Sequence, residues 1–413
     1  MKTKPFSIPK SLIVEAYKLV KANKGAGGID GVTLEKFDEN LKDNLYKIWN
    51  RLSSGSYFPP SVKAVAIPKK NGGERILGIP TVADRIAQMA IRLKFEPMVE
   101  RHFHNDSYGY RPKKSALDAV GVTRKRCWKY DWVLEFDIKG LFDNIDHELL
   151  MKAVRWHTDC KWTILYIERW LKADMVMPDG KVNPREKGTP QGGVISPVLA
   201  NLFLHYVFDK WLEVHYPTIE WCRYADDGLL HCKTLKQAEF FLGILKKRFQ
   251  ECGLEMHSEK TKIVYCRDSD RQKKYPITSF DFLGFTFRPR GAKNKYGKLF
   301  TSFLPAASKK ALKAMTAETR RRGFRNSTEL ELKDISRMYN RVLRGWYNYY
   351  GKYYVSALDP LWRHFNRTLV AWALRKFKKL KATKRAIKLL EKIAHENPRL
   401  FVHWEKGIVG AFA

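Results

Sequence analysis

The stretch Trp221-Cys222-Arg223-Tyr224-Ala225-Asp226-Asp227-Gly228-Leu229-Leu230 decides how this chain folds. Apolar residues on both sides of Asp226-Asp227 predict two strands joined by a tight turn, with adjacent carboxylates at the tip of a hairpin. Like charges at this separation repel each other unless a cation lies between them. Mg²⁺ is the cation that this arrangement favours, because it prefers oxygen ligands and also binds nucleotide phosphates. An Asp-Asp pair alone is more often a solvated turn, so the hypothesis depends on the rest of the chain.

A second acidic strand lies upstream of this hairpin. Residues 132–138 predict a buried strand that carries Val133, Glu135 and Asp137 on one face. A buried carboxylate is costly unless it is paired or binds a metal, which makes Asp137 a candidate ligand. An aspartate that only ends the strand or caps the next helix explains the pattern equally well.

The whole chain is strongly basic. Its 413 residues include 77 Lys+Arg against 43 Asp+Glu, a formal net charge of +34. Solubility alone needs far less charge, so the excess indicates a polyanionic partner. Aromatic residues make up 13% of the chain, and some lie among basic residues, as in 344–350. Because rings beside cations suit stacking on unpaired bases, we predict that the partner is a nucleic acid.

Several classes of protein are disfavoured by composition. The six cysteines are scattered without a Cys-x-x-Cys pair, which indicates reduced thiols in a cytosol and no zinc site. No apolar run reaches the roughly 18 residues that span a bilayer, so no membrane contact is expected. The basic N-terminus is not followed by the apolar segment of a signal peptide. A hydrophobic content of 44% suffices for well-packed cores in two or three domains.

The N-terminal part combines a helix, a glycine-rich segment and a hairpin. Residues 11–23 carry apolar side chains at helical spacing and predict an amphipathic helix. Segment 24–31 lacks the Gly-Lys-Ser/Thr of a P-loop, which favours an ordered turn or lid over a phosphate cradle. Residues 62–79 predict a hairpin with Lys69 and Arg75 on its edge, where surface lysines are also ordinary.

The remainder of the chain alternates helices and strands before it becomes helical and basic. Beyond about residue 300 we predict helices, and residues 301–413 hold 25 Lys+Arg against 8 Asp+Glu. Residues 375–388 contain eight basic residues and no acid, which favours a nucleic-acid contact over a solvated face. Segment 187–193 predicts a tight loop. Helices are predicted over 82–98, from 142, from 196 and over 235–252, and strands over 262–265 and 280–287.

Together these motifs resemble the group II intron-encoded reverse transcriptases, also called maturases, of the bacterial kind that lacks an endonuclease domain. The resemblance extends over nearly the whole chain. Each block is a weak signal alone, but their common order makes coincidence negligible. The matching blocks are residues 28–31, 67–69, 75–85, 107–112, 137–143, 188–193, 223–227, 260–261, 282–285 and 344–346.

The resemblance implies an α+β fold, the right-hand polymerase. Residues 1–132 are expected to form the fingers with an N-terminal extension. Residues 133–295 are expected to form the palm, in which an antiparallel sheet packs on helices and carries the catalytic aspartates. Residues 296–413 are expected to form an all-helical thumb, the X domain, with a short basic C-terminal tail.

The resemblance also implies an RNA-directed DNA polymerase that works with two Mg²⁺ ions, for which Mn²⁺ can substitute. Asp137 and Asp226 are expected to share the ions, with the backbone carbonyl of Ile138 completing one site. Asp227 is expected to support the hairpin or to bind a metal weakly. One ion lowers the pKa of the primer 3′-hydroxyl, and the other holds the triphosphate and the leaving pyrophosphate.

Further residues acquire binding roles through the same resemblance. Lys69 and Arg75 are expected to clamp the triphosphate, while Arg85 and Gln191 face the nucleotide or template. Phe142 is expected to lie against the sugar 2′ position and to exclude ribonucleotides by steric clash. The residues expected to contact primer or template are Phe282, Leu283, Gly284, Arg111, Arg344, Trp346, Arg375, Lys378, Lys379 and Arg385.

The chain departs from the family in two respects. Leu141 precedes Phe142, where members often carry a second aromatic residue. The sequence ends at Ala413, without the DNA-binding and endonuclease regions of larger members, which puts self-sufficient cutting of both target strands in doubt.

The expected partners are an RNA template, a DNA primer, dNTPs and a structured intron RNA in the cytosol or nucleoid of a bacterium. The sequence leaves the oligomeric state open. Two other roles stay open beside the polymerase, namely an RNA-binding splicing cofactor and a domesticated relative that serves DNA repair or phage defence.

Overall fold

The computed structural model describes residues 4–68 and 73–409, and the chain divides into two compact units. The first unit comprises the chain up to Ala119 together with Leu134–Lys262. The second comprises Val120–Val133 and the chain from Ile263 onward. The predicted division into fingers, palm and thumb at 132/133 and 295/296 stays a prediction.

Helices account for much of the described chain. A π-helical turn, His205–Asp209, joins α9 to α10, and short 3₁₀ turns cover Phe324–Asn326 and Val355–Leu358. The helices are α1 (Lys10–Ala22), α2 (Leu34–Asp38), α3 (Leu41–Ser54), α4 (Val82–Glu100), α5 (Ala116–Lys129), α6 (Leu141–Asn144), α7 (His147–His157), α8 (Lys161–Leu171), α9 (Ser196–Leu204), α10 (Lys210–His215), α11 (Leu235–Glu251), α12 (Lys309–Arg322), α13 (Leu332–Tyr350), α14 (Asp359–Lys376), α15 (Thr383–Glu396) and α16 (Val402–Glu405).

The strands of the described residues form three sheets. Their orders are β2–β1–β4–β5, β6–β7–β3–β8 and β11–β10–β9. Antiparallel pairing dominates, with one parallel contact between β1 and β4. The strands are β1 (Val62–Pro68), β2 (Glu74–Ile79), β3 (Trp132–Asp137), β4 (Met175–Val176), β5 (Val182–Asn183), β6 (Glu220–Tyr224), β7 (Asp227–Cys232), β8 (Lys262–Tyr265), β9 (Phe280–Phe282), β10 (Phe285–Lys293) and β11 (Leu299–Ala307).

Local patterns in the sequence predicted most of these elements. The apolar stripe of α1 is buried at helical spacing, with Ile13, Ala16 and Val20 inside the core. Helix α4 begins where Thr81 caps it, since the Thr81 hydroxyl accepts a hydrogen bond from Asp84 N at 3.1 Å. The hairpins β1–β2 and β6–β7 and the buried strand β3 also lie where they were predicted.

The helical C-terminal region begins later than the sequence predicted. Residues 299–307 form strand β11, which pairs with β10 from Phe285 opposite Ala307 to Lys293 opposite Leu299. The expectation of helices from about residue 300 is therefore wrong for this segment. Nine backbone pairs to a neighbouring strand outweigh a composition without a strong strand signal.

The helices after Lys309 pack around a core of large aromatic side chains. Trp362, Trp372 and Trp404 are almost fully buried in it. The aromatic and basic stretch 344–350, expected to stack on bases, contributes Trp346 and other rings to this packing. Burial in the core therefore explains much of the aromatic content of this region.

His403 is a titratable group inside this core. It is fully buried, and its ring stacks on Trp362 with centroids 5.2 Å apart. Asn366 Oδ1 accepts hydrogen bonds from Trp404 Nε1 at 3.2 Å and from His403 Nε2 at 2.7 Å, so His403 carries its proton on Nε2. Burial lowers the pKa of His403 to about 3, which keeps the ring neutral at pH 7.

We expect the replacement His403→Gln to reduce the acid sensitivity of the protein. The folded-state pKa is lowered, so the stabilising contribution is full above the unfolded value near 6.5 and is lost as the pH falls towards 3. Between pH 7 and pH 5 the wild type should lose about 2 kcal/mol more unfolding free energy than His403→Gln. Urea denaturation of both proteins at the two pH values measures this difference. Equal losses in both would contradict it.

Candidate active site

The predicted acidic residues meet at one edge of the β6–β7–β3 part of the sheet. Asp226 lies in the turn between β6 and β7, and Asp227 begins β7. Asp137 ends β3, the strand next to β7. The backbone N–H of Ile138 donates to the Asp226 carbonyl at 3.4 Å, which ties the two acidic segments together. The structure thus brings together Asp137, Ile138, Asp226 and Asp227.

Desolvation and repulsion from neighbouring carboxylates disfavour the charged forms of Asp226 and Asp227. Burial and the charge of Asp137 raise the pKa of Asp226. Desolvation, followed by the charges of Asp226, Asp137 and Glu135, raises the pKa of Asp227 to about 7. Asp227 keeps an exposed surface, so repulsion among the carboxylates contributes to this raised pKa beside burial. The cluster therefore favours a nearby positive charge.

Two lysines and one arginine of the chain supply part of this positive charge. The Lys260 ammonium contacts Asp137 Oδ2, and Lys262 Nζ lies 3.1 Å from Glu135 Oε2. Arg75 acts at longer range, since its charge lowers the pKa of Asp226 against the effect of burial. Lys260 was recognised in the sequence only as part of a motif. Lys260 and Lys262 are two positions apart, as are their partners Asp137 and Glu135. This matched spacing is the sequence signal that indicates the pairing.

The donor chemistry of this edge fits a hard divalent cation. Carboxylate and carbonyl oxygens are the ligands that Mg²⁺ prefers, and Mg²⁺ normally keeps several waters or substrate phosphate oxygens. Within residues 4–68 and 73–409, however, no three His, Cys, Asp or Glu side chains are gathered closely enough to hold a metal by themselves. Asp137 and Asp226 would therefore supply only part of a coordination shell.

A buried arginine holds the backbone of the acidic turn in place from the core side. Arg223, fully buried, donates from Nε and Nη2 to the two carboxylate oxygens of Asp209 at 2.8 and 2.6 Å. Its Nη1 donates to the Ala225 carbonyl at 3.1 Å, and Ala225 has the left-handed φ of 57°. Asn201 Oδ1 and Ser107 Oγ accept its remaining N–H groups at 3.1 and 2.8 Å. All five donors of the guanidinium are thereby used.

The loop that precedes α5 supports the same turn. Gly109 is required there, because a Cβ atom at this position would lie 2.4 Å from the Ala225 nitrogen. Arg111, predicted to contact primer or template, is occupied within this loop. It pairs with Glu100 at 2.8 Å and donates to the carbonyls of His104 and Ser107 at 2.5 and 2.7 Å.

The predicted nucleotide side of the site is formed by α6 and the loop 187–193. The Phe142 carbonyl accepts a hydrogen bond from Thr189 N at 2.6 Å, and its ring meets Tyr110 edge-on with centroids 6.3 Å apart. Gln191 Nε2 donates to Asp143 Oδ2 at 3.1 Å, while Gln191 Oε1 has no hydrogen-bond partner among the described residues. Gln191 thus retains an unused acceptor near Phe142.

The remaining predicted nucleotide ligands differ in their accessibility. Arg75 is exposed on β2, whereas Arg85 is almost buried and donates to the Ala26 carbonyl at 2.6 Å. Arg85 therefore holds the glycine-rich segment 24–31, which agrees with its prediction as an ordered turn. Lys69 lies outside the described residues.

The primer and template residues predicted in the second unit also differ in exposure. Phe282 is buried, whereas Leu283 and Gly284 form the β9–β10 turn with left-handed φ values of 51° and 82°. Trp346 packs on the aromatic core, and Arg344 lies 3.9 Å from Glu405. Arg344 is exposed, as are Arg375, Lys378, Lys379 and Arg385, which lie at or within the connection between α14 and α15.

We expect Asp209→Asn to destabilise the protein strongly. The change leaves the buried Arg223 charge without its counter-ion, which should lower the free energy of unfolding by about 3 kcal/mol or more. Glu213→Gln is the matched control, because it removes a carboxylate from an exposed pair with Lys210 on the adjacent helix. This control should cost less than about 1 kcal/mol. Chemical denaturation compares the two, and similar losses would contradict the role of Arg223.

Comparison with known proteins agrees with this geometry. Residues 67–287, which contain the acidic turn, match the family "Reverse transcriptase (RNA-dependent DNA polymerase)". Residues 312–390 match the family "Group II intron, maturase-specific domain".

Individual relatives match different shares of the chain. Protein YkfC of Escherichia coli K12 is 33% identical over 304 residues, 62% of this chain and 77% of YkfC. The group II intron-encoded protein LtrA of Lactococcus lactis is 38% identical over 201 residues, 48% of this chain and 33% of LtrA. The match therefore spans about a third of LtrA. A telomerase structure from Candida albicans covers 91% of this chain and 68% of its own, with a TM-score of 0.46 and 13% identity.

More than half of the chain, including every carboxylate of the acidic turn, lies within the first of these family matches. The protein therefore belongs to the reverse transcriptase family of RNA-dependent DNA polymerases and carries the maturase-specific domain of the group II intron type.

Proposed function

We propose that this protein extends the 3′-hydroxyl of a DNA primer with dNTPs on an RNA template. The observation that carries the proposal is the meeting of Asp137 and Asp226 at one sheet edge, with Arg223 holding the turn between β6 and β7. Burial and the neighbouring carboxylates raise the pKa values of Asp226 and Asp227, which suits a site that binds a cation during the reaction.

Asp137 and Asp226 would hold Mg²⁺, or Mn²⁺ in its place, with the Ile138 carbonyl as a further oxygen ligand. When bound, the metal supplies Lewis-acid activation of the 3′-hydroxyl and neutralises charge on the triphosphate and pyrophosphate. The chain's own contribution is positioning, because the hydrogen bonds around Ala225 fix where the carboxylates point. The exposed Arg75, with Lys69 six positions earlier in the sequence, would attract the triphosphate.

Phe142 would select deoxynucleotides. Its backbone is held by Thr189, and its ring is nearly buried against Tyr110, so the side chain has little freedom to move aside. A ring fixed beside the sugar 2′ position would clash with a hydroxyl group there. Gln191 would use its unpaired Oε1 towards the nucleotide or the template.

The second unit would bind RNA. Its exposed cations include Arg375, Lys378, Lys379 and Arg385. All four lie in the stretch that matches the maturase-specific domain. A structured intron RNA is the partner that this domain favours, so a splicing role is a second function of the same chain. The division into fingers (1–132), palm (133–295) and thumb (296–413) belongs to this proposal.

A cytosolic location is also part of the proposal. All six cysteines lie in the described ranges and are free thiols, which suits a reducing compartment. None of the helices that the structure describes is long and apolar enough to cross a membrane.

We expect Asp137→Asn and Asp226→Asn each to abolish primer extension. Both remove a negative charge that the metal-dependent step needs, while the amide preserves the side-chain volume. RNA affinity should remain near that of the wild type, since the basic surfaces are untouched. Extension of a labelled DNA primer on an RNA template, with Mg²⁺ or Mn²⁺, measures the first effect. Asp179→Asn, an exposed turn residue, is the control, and full extension by either active-site variant contradicts the assignment.

We expect Phe142→Ala to admit ribonucleotides. Removal of the ring opens space for the 2′-hydroxyl, so incorporation of rNTP relative to dNTP should rise on the order of 10²-fold. Phe142→Tyr keeps the ring and should keep the selectivity. Single-nucleotide incorporation kinetics give both ratios, and an unchanged ratio for Phe142→Ala would mean that another residue excludes the 2′-hydroxyl.

A further inference from the structure

An exposed β-ribbon in the second unit has no role in the function proposed above. It consists of β10, β11 and the connection between them, residues 285–307, and we call it the basic ribbon. Its base is anchored in the core, since Phe285 and Phe287 are buried and Phe280 stacks on Phe287 with centroids 4.7 Å apart. Its tip, residues 293–299, extends into solvent, where every residue is exposed.

The tip is nevertheless an ordered turn. Asn294 Oδ1 accepts hydrogen bonds from the backbone N–H groups of Tyr296 and Lys298 at 3.0 and 2.9 Å. Gly297 adopts φ +85°, and its N–H donates to the Asn294 carbonyl at 3.0 Å. The turn therefore holds its shape through local hydrogen bonds, without burying its side chains.

This ordered turn presents a ring to solvent. Tyr296 is 81% exposed, and Leu299 on the adjoining strand is 77% exposed. Because the turn is ordered, it holds the ring in solvent, where a flat ligand can stack on it. The Lys295 ammonium lies 4.9 Å from the Tyr296 ring centroid, which places a cation beside the ring face.

The charge of the ribbon is uniformly positive. Residues 285–307 contain five Lys+Arg and no Asp or Glu. Three of the cations, Lys293, Lys295 and Lys298, lie within three positions of Tyr296 in the sequence, and we call them the tip lysines. In the part of the chain that the structure describes, no carboxylate lies within ion-pair distance of any tip lysine. An ammonium over the Tyr296 ring, with two further lysines on the same turn and ribbon, complements an anion that carries a flat apolar group.

We propose that the tip of the basic ribbon binds an unpaired stretch of nucleic acid, with Tyr296 stacking on a base and the tip lysines contacting its phosphates. Unpaired strands expose base faces to an aromatic ring, whereas a continuous duplex buries them. The proposal rests on the proposed function, because an RNA template supplies such a single strand.

The first test uses Tyr296→Ala in the full chain. Fluorescence anisotropy measures binding to a labelled, unstructured RNA oligonucleotide and to a blunt RNA–DNA duplex. Loss of one stacking contact should weaken single-strand binding about 10-fold and leave duplex binding unchanged. Trp156→Ala is the matched control, because Trp156 is also 81% exposed but lies in the first unit, and it should bind as the wild type.

The second test replaces the three tip lysines by alanine. Loss of phosphate contacts on a single strand should reduce the slope of log affinity against log salt by about 0.7 for each contact. The triple replacement of Lys236, Lys246 and Lys247 on α11 removes the same charge from another exposed surface. It should leave the slope unchanged. An equal change in both triple variants would mean that net charge alone is measured, which overturns the proposal.

Primer extension in parallel separates this inference from the proposed function. If the wild type extends primers and Tyr296→Ala binds single strands as tightly as the wild type, the ribbon proposal fails alone. Equal weakening of single-strand and duplex binding also overturns it. A wild type that binds through Tyr296 without extending primers supports the ribbon and contradicts the polymerase. Because Tyr296 is exposed, Tyr296→Ala should leave the melting temperature of the protein unchanged. A loss of binding then reports the loss of the ring and not unfolding.

Discussion

The buried ion pair between Arg223 and Asp209 is the interaction on which the rest of the site depends. A guanidinium removed from water is tolerated only when its donors are satisfied and its charge is matched. Here the partners come from a loop, two successive helical segments and the acidic turn itself. Because one of them is the carbonyl of Ala225, the same network that stabilises the core also sets the left-handed turn before Asp226. The same hydrogen bonds therefore contribute to the stability of the core and determine the geometry of the site.

The π-helical turn explains how Asp209 reaches this position. Residues His205–Asp209 interrupt the helical path between α9 and α10, and such interruptions often mark functional sites. His205 lies 3.9 Å from Asp209, and burial lowers the pKa of His205 to about 4. A neutral imidazole leaves the Asp209 charge to Arg223 alone. The local irregularity thus serves the pairing that holds the turn between β6 and β7.

The acidic edge belongs to a chain whose net charge is strongly positive, so the two act on a nucleic acid in opposite ways. A net charge of +34 attracts polyanions to the surface, whereas the clustered carboxylates repel phosphates from the point of reaction. Lys260 and Arg75 soften this repulsion but leave the pKa of Asp227 raised. A divalent cation held by these carboxylates would neutralise their charge, and the family match implies that such a cation is used.

Sequence patterns predicted the helices and strands that depend on interactions between residues close together along the chain. Helical spacing in α1, alternation in the hairpins and the two acids at alternate positions of β3 each involve neighbours along the chain, and the structure confirms these elements. The Arg223 network joins residues up to 116 positions apart, so no short pattern reveals it. Strand β11 was missed for the same reason, because it is defined by its pairing with β10.

Exposure is the property that sequence conveys least. The aromatic and basic stretch 344–350 has the composition of a base-stacking surface, yet Trp346 and Tyr350 pack against the core of the helical region. Tyr296 gave no such signal, although an ordered turn presents its ring to solvent. Stacking on a base requires an open ring face, and whether a face is open depends on tertiary packing. Composition can therefore indicate a nucleic-acid partner for this chain, while only the fold distinguishes rings that can bind one from rings that form the core.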